Sequence, residues 1–393
     1  MIAKRLRASL DGAVCIRDIF EEAKKLAAIR GPENIYNFTI GNPSVEPPAI
    51  VNQAIRETLD EVPPLALHGY PANVGHPDVR RHVAAYLNRE FGGDYDESGI
   101  VMTAGAAGAI VIIANTLLDY GDEVVTFAPY FWEYKSYTEV VYGRLVAAPT
   151  DPETLQPDPA AFEAALTERT RYVLINTPNN PTGAVYTEEK LRAVAEILER
   201  KQKEYGHPIY LVSDEPYRKL AYGVPVPWLP DLYRNTIVVY SFSKTLSIPG
   251  ERIGYIAVRP DVDDYADLMQ GLMASDRYLG YVNAPSLQQK ILLKCLEATV
   301  DTSIYRQTRD ILYDGLTKIG YTCVHPDGAF YLFVKALEPD DVKFCQVAKE
   351  EGLVFAPGTA FSGPGWVRVS YCVPGDVARR SLPAFEALYR KYQ

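Results

Sequence analysis

Lys244 stands in the run Ser241-Phe242-Ser243-Lys244-Thr245, and Arg252 follows it by eight positions. Two hydroxyls, an amine and a guanidinium in so short a span carry definite chemistry. Hydroxyls and a planar guanidinium suit a phosphate, which arginine grips through two parallel N–H bonds. The amine suits covalent bonding to an aldehyde as a Schiff base. Upstream lie two further polar runs, Asn179-Asn180-Pro181-Thr182-Gly183 and Asp214-Glu215-Pro216-Tyr217. A small-residue run, Thr103-Ala104-Gly105-Ala106-Ala107-Gly108, leaves backbone N–H groups bare where a helix is expected to begin, which is an anion site. It matches neither G-x-G-x-x-G nor the P-loop. Taken singly, each residue has an ordinary reading: Asp214 as a cap, Asn180 as a turn residue before Pro181, Lys244 as a solvated cation. Ser241-x-x-Lys244 also fits the S-x-x-K of penicillin-recognising enzymes, but S-D-N and K-T-G do not occur, so serine acyl chemistry is set aside.

The elements that must position these residues give them weight. Short apolar runs at 100–103, 124–127, 172–176, 209–213, 236–240 and 252–258 read as strands. Helices are expected after the first of them, to 118, and over 187–205. Runs of this length separated by helices predict a mostly parallel sheet covered on both faces. Asn180, Asp214 and Lys244 each fall just beyond a strand's carboxyl end, where open α/β sheets bind ligands. Before this region, a helix is expected over 14–30, an extended piece over 36–40 ending at Gly41-Asn42-Pro43, and helices over 49–59 and 78–91. The loop 68–77 between those two helices is rich in Gly and Pro and carries Tyr70. The tail, 287–393, opens on a long helix and alternates extended pieces (329–334, 366–371) with helices, the pattern of a smaller α+β domain.

A chain of 393 residues exceeds one ordinary core, so two domains are expected. At 47% hydrophobic it buries enough surface to fold without assistance from disorder-to-order coupling. The net charge of −10 argues against nucleic acid and anionic membranes as partners, because both require a basic field. Five cysteines, odd in number and without a C-x-x-C pair, read as reduced thiols, and with five scattered histidines they offer no metal site. Residues 1–20 lack an apolar h-region, and the longest apolar stretch, 106–114, is too short to cross a bilayer. A cytoplasmic protein is expected.

The ordered motifs, together with Arg368-Val369-Ser370, resemble the class I/II aminotransferases of pyridoxal-phosphate (PLP) fold type I, the aspartate-aminotransferase-like family, over nearly the whole chain. The resemblance implies an α/β large domain with a mostly parallel seven-stranded sheet and a smaller α+β domain. It divides the chain at 1–44, 45–286 and 287–393. It implies a PLP-dependent transaminase acting between an L-amino acid and a 2-oxo acid as a homodimer with shared sites. Lys244 would hold the cofactor, Asp214 its pyridine nitrogen, and Tyr217 and Asn180 its ring oxygen. Phe131 would stack on the ring. Gly105, Ala106, Ala107, Ser241, Ser243 and Arg252 would bind its phosphate, joined by Tyr70 from the neighbouring subunit. Arg368 would clamp the substrate α-carboxylate, with Gly41 in the loop that closes over it. Arg277, in Asp276-Arg277-Tyr278, would read a distal carboxylate from the other subunit, offset by about one residue from the family's arginine.

Two departures stand out. Ala106 and Ala107 offer only backbone where the family often has a Ser, Thr or Lys side chain. Phe131 replaces the Trp of the best-known members; it still stacks but donates no hydrogen bond. A lyase, decarboxylase or cyclopropane-forming synthase on the same fold is the alternative reaction, since fold does not fix chemistry. A PLP-sensing regulator fits poorly, because the resemblance starts near Met1 and the charge is acidic.

Overall fold

The computed structural model describes Ile2, Arg7 and residues 16–393; Val14 and Cys15 lie outside the described residues. Seven strands make the central sheet: β1 (Ile100–Thr103), β2 (Glu123–Ala128), β3 (Arg144–Pro149), β4 (Thr170–Asn176), β5 (Tyr210–Asp214), β6 (Thr236–Ser241) and β7 (Gly254–Val258). Their order is β1-β7-β6-β5-β4-β2-β3. All neighbours run parallel except β7, which is antiparallel to both β1 and β6. The inner strands are buried end to end because both faces are covered. Leu174, Val212, Val239 and Ile256 pack with Ile110 and Ile113 of a helix over Gly105–Leu117. Val173, Ile175 and Leu211 pack on the other face with Leu191, Val194 and Leu198 of a helix over Glu188–Tyr205. Each such side chain contributes about 1.5–3 kcal/mol by leaving water. The second helix starts at Thr187, whose hydroxyl accepts from Lys190 N, and stops at Gly206 in the left-handed region.

The six strands read from the sequence are all present, with ends moved by two residues at most. The seventh, β3, escaped the apolar-run reading. It is one of the sheet's two edge strands, mostly exposed or half-buried, and its short apolar run Leu145-Val146-Ala147-Ala148 was passed over.

The C-terminal part builds a four-stranded antiparallel sheet from β8 (Cys323–Val324), β9 (Tyr331–Lys335), β10 (Ala356–Pro357) and β11 (Trp366–Ser370), in the order β10-β11-β9-β8. Helices Thr302–Ile319 and Gly375–Arg390 flank it. The expected long helix after 287 is two: Ser286–Cys295 and Thr302–Ile319, the latter capped by Asp301 on Ser303 N. The N-terminal segment joins this part. Helix α1 (Ile16–Arg30) sends the Arg30 guanidinium to the carbonyls of Lys349 and Glu350, and Tyr36–Asn37 pairs in parallel with Leu353–Val354. Among the described residues no helix is long and apolar enough to cross a membrane.

Candidate active site

Strand register brings the polar strand ends together. Asn176 lies beside Asp214 across β4 and β5. Ser241, Gly254 and Thr103 lie abreast across β6, β7 and β1. That second row sets Ser241 and Ser243, Arg252 and the turn at Gly105 around one spot. Ser241 and Ser243 hydroxyls are 2.8 Å apart, and Arg252 Nη2 donates to Ala104 O at 3.1 Å. Gly105 is required here twice over. Its φ is +77°, and a Cβ on it would lie 2.7 Å from Arg252 Nη2. The helix it opens has no side-chain cap and no acidic residue in its first turn. Its leading N–H groups are therefore left for an anion.

Asp214 is buried at the end of β5. One oxygen, Oδ2, accepts from the Tyr134 hydroxyl at 2.5 Å, and the other, Oδ1, is buried without a partner among the described residues. Burial pushes this carboxyl up to about 7, against the pull of Tyr134 and with the neighbouring Glu215 adding to the rise. Tyr134 is set by helix Glu133–Glu139, where the Thr138 hydroxyl holds its carbonyl, and by the edge of the Phe131 ring 5.5 Å away.

Lys244 follows β6 on a short helical turn capped by Ser241. Its Nζ donates to Gly41 O at 2.8 Å, and burial holds its pKa down to about 8. Asn180 receives the Asn176 carboxamide oxygen on its backbone N–H, and its own Oδ1 accepts from Arg368 Nη1 at 2.9 Å. Arg368, on β11, is buried against the rings of Tyr331 and Phe361 at 4.6 and 4.5 Å, donates to Thr39 O, and keeps Nε unpartnered among the described residues. Tyr217 bonds the hydroxyl of Tyr331 at 2.9 Å, and burial raises the Tyr217 phenol well above its ordinary value.

The chain thus gathers Gly41, Gly105, Ala106, Ala107, Asn180, Asp214, Tyr217, Ser241, Ser243, Lys244, Arg252 and Arg368 at one end of the sheet, with Phe131 beside Tyr134. Two expected residues stand apart. Tyr70 is 91% exposed, and Arg277 is exposed near the end of helix Tyr265–Tyr278 without an ion pair among the described residues. Four contacts had no signature in the sequence. Tyr134, Tyr331, Phe361 and Thr39 belong to no motif; only the folded chain sets them against Asp214, Tyr217 and Arg368. Among the described residues no three His, Cys, Asp or Glu side chains cluster as a metal site would require.

A lysine amine lowered toward neutrality, a buried carboxylate with one free oxygen, an uncapped helix start and a buried arginine equip this α/β enzyme to bond a carbonyl compound and grip a carboxylate. The chain belongs to the class I and II aminotransferases, whose family model matches residues 33–381. It is 32% identical to a probable aspartate/prephenate aminotransferase of Thermus aquaticus, across 92% of this chain and 94% of that one. A probable aspartate aminotransferase of Methanocaldococcus jannaschii is 30% identical, across 95% and 96%. Among solved structures, an aminotransferase from Eubacterium rectale matches the whole of both chains with a TM-score of 0.97 and 46% identity. The aspartate aminotransferase of Thermus thermophilus with maleate matches 99% of each at 0.87 and 28%. The chain is a transaminase by family, and the lyase or decarboxylase alternative finds no support among these relatives. Families of this kind are PLP-dependent.

Proposed function

We propose that the chain moves an amino group between an L-amino acid and a 2-oxo acid with pyridoxal 5′-phosphate held on Lys244. The observation that carries this reading is the orphaned Oδ1 of Asp214. A buried carboxylate oxygen without a donor is costly, and a protonated pyridine nitrogen is the donor that fits it. When bound, the cofactor supplies an aldehyde carbon and a ring that accepts electron density from the substrate Cα.

The residues divide the remaining work. Asp214 would hold the proton on the pyridine nitrogen, with Tyr134 fixing the carboxylate's other oxygen. The lowered amine of Lys244 is partly neutral near pH 8, so it would bond the aldehyde and later carry the proton from the substrate Cα. Tyr217 and Nδ2 of Asn180 would donate to the ring oxygen, and Phe131 would cover one ring face. The N–H groups of Gly105, Ala106 and Ala107, the hydroxyls of Ser241 and Ser243, and Arg252 would take the phosphate. Arg368 would grip the α-carboxylate under the loop of Gly41.

We assign residues 45–286 as the cofactor-holding unit, with 1–44 and 287–393 forming the part that carries Arg368. A homodimer would add Tyr70 to the partner's phosphate site and Arg277 to its substrate site. The exposed rings of Tyr70 and Tyr278 and the buried, unpartnered oxygens of Asp276 support this, because such a surface is unfavourable in water. Asn283 Nδ2 reaches Pro71 O, so the Tyr70 loop and the Arg277 segment form one continuous face. Relatives named for aspartate favour an acidic substrate, which Arg277 would read. Four unpaired thiols among the described residues fit a reducing, cytoplasmic setting. The test is borohydride reduction of the protein incubated with PLP, followed by peptide mapping. Label on Lys244 is expected, and label confined to another lysine overturns the reading.

A further inference from the structure

Tyr331 belongs to none of the motifs, yet it touches three of the residues they nominate. Its hydroxyl lies 2.9 Å from that of Tyr217, and its ring lies 4.6 Å from the Arg368 guanidinium carbon. A Cβ on Gly41 would fall 2.0 Å from the same hydroxyl, so the Gly41 backbone closes directly over it. The placement comes from β-sheet alternation. Tyr331 pairs with Ser370 and Phe333 with Arg368, so Tyr331 and Arg368 share one face of the small sheet.

Two buried phenols carry two protons but share one contact. Neither hydroxyl has another hydrogen-bond partner among the described residues. One proton therefore lies between the oxygens, and the other is left over. Were it left on Tyr331, it would face the Gly41 backbone, whose carbonyl already accepts from Lys244, which is the costlier arrangement. Left on Tyr217, it is available to a ligand beside Asp214 and Arg368, the charges that Tyr217 senses.

We propose that Tyr331 is a positioning residue whose hydroxyl donates to Tyr217, turning the Tyr217 proton toward the cofactor's ring oxygen, while its ring face seats Arg368 for the substrate carboxylate. This rests on the cofactor reading above. A phenol that accepts a hydrogen bond becomes a stronger donor, so Tyr331 helps Tyr217 hold negative charge on that oxygen. Losing it lets the bound cofactor keep its proton to higher pH.

The experiment uses the holoenzyme. The pH midpoint of the bound cofactor's visible absorption is titrated, and kcat and KM for an amino donor are measured. Tyr331→Phe keeps the ring and removes only the hydroxyl. It should raise the midpoint by about half to one pH unit and leave KM within about twofold. Tyr331→Leu removes the ring as well and should raise KM a further ~5- to 20-fold. In a Tyr217→Phe background, Tyr331→Phe should leave the midpoint where it is, because the relay has lost its second member. A midpoint unmoved by Tyr331→Phe, or moved equally with and without Tyr217, overturns the proposal while the cofactor reading stands. If the unsubstituted protein gains no visible absorption with PLP, both fall together.

Discussion

Asp214→Asn should stabilise the cofactor-free protein while abolishing its activity. In the fold, burial lifts the Asp214 carboxyl to about 7 from 3.8 for the free side chain. The sign follows from linkage. A carboxyl with a raised folded pKa binds more protons folded than unfolded between those two values, so stability falls as pH rises through the interval. The penalty is absent below about pH 4, grows across the interval, and is complete above pH 7. About three pH units correspond to ~4 kcal/mol, of which ~2 is already present at pH 5. The asparagine amide is isosteric and neutral, still accepts from Tyr134, and carries none of this penalty. Any fixed packing difference between amide and carboxyl cancels when two pH values are compared. The predicted quantity is therefore the growth of the Asn advantage, about 2–3 kcal/mol from pH 5 to pH 8. Urea unfolding of both cofactor-free proteins at the two pH values measures it, provided the denaturant slopes agree. An advantage that stays constant, or shrinks, with rising pH would refute the view that Asp214 is a strained carboxylate waiting for a cationic ligand. In the presence of PLP the order should invert, since only the aspartate pairs with a protonated ring nitrogen.

Two further predictions address the neighbouring subunit. Separately inactive Tyr70→Ala and Lys244→Ala proteins, mixed and re-equilibrated, should regain up to about a quarter of full activity, because half of the dimers are hybrids and each hybrid has one site with both native residues; no recovery after verified exchange argues against shared sites. Arg277→Ala should lower kcat/KM for acidic substrates by roughly 2–4 kcal/mol more than for alanine, the scale of a charge left unpaired in a dry site. Equal losses for both would make Arg277 structural.

The amino-acid sequence alone determined the inner strands and the residues at their ends. Buried parallel strands must be continuously apolar, so β4, β5 and β6 announce themselves, and a polar residue directly after such a run is conspicuous. Asp214 closes one such run, and Lys244 and Asn180 lie three and four residues beyond two others, which singled them out together. Arg368 was legible only as part of a recognised motif set. The edge strand β3, half-exposed despite its Leu145–Ala148 run, and the break in the helix after 287 were missed in the sequence. Tertiary structure alone decided the contacts that tune the site. Tyr134 meets Asp214 across 80 residues, and Tyr217 meets Tyr331 across 114. Arg368 meets Thr39 across 329. Tyrosine at such positions is read equally well as core, since its ring packs like any other and only its hydroxyl distinguishes it. What that hydroxyl touches depends on sheet register and on how the C-terminal part folds back over the strand ends. Neither has a local signal, because register is set by the sum of many side-chain contacts rather than by any residue within reach along the chain.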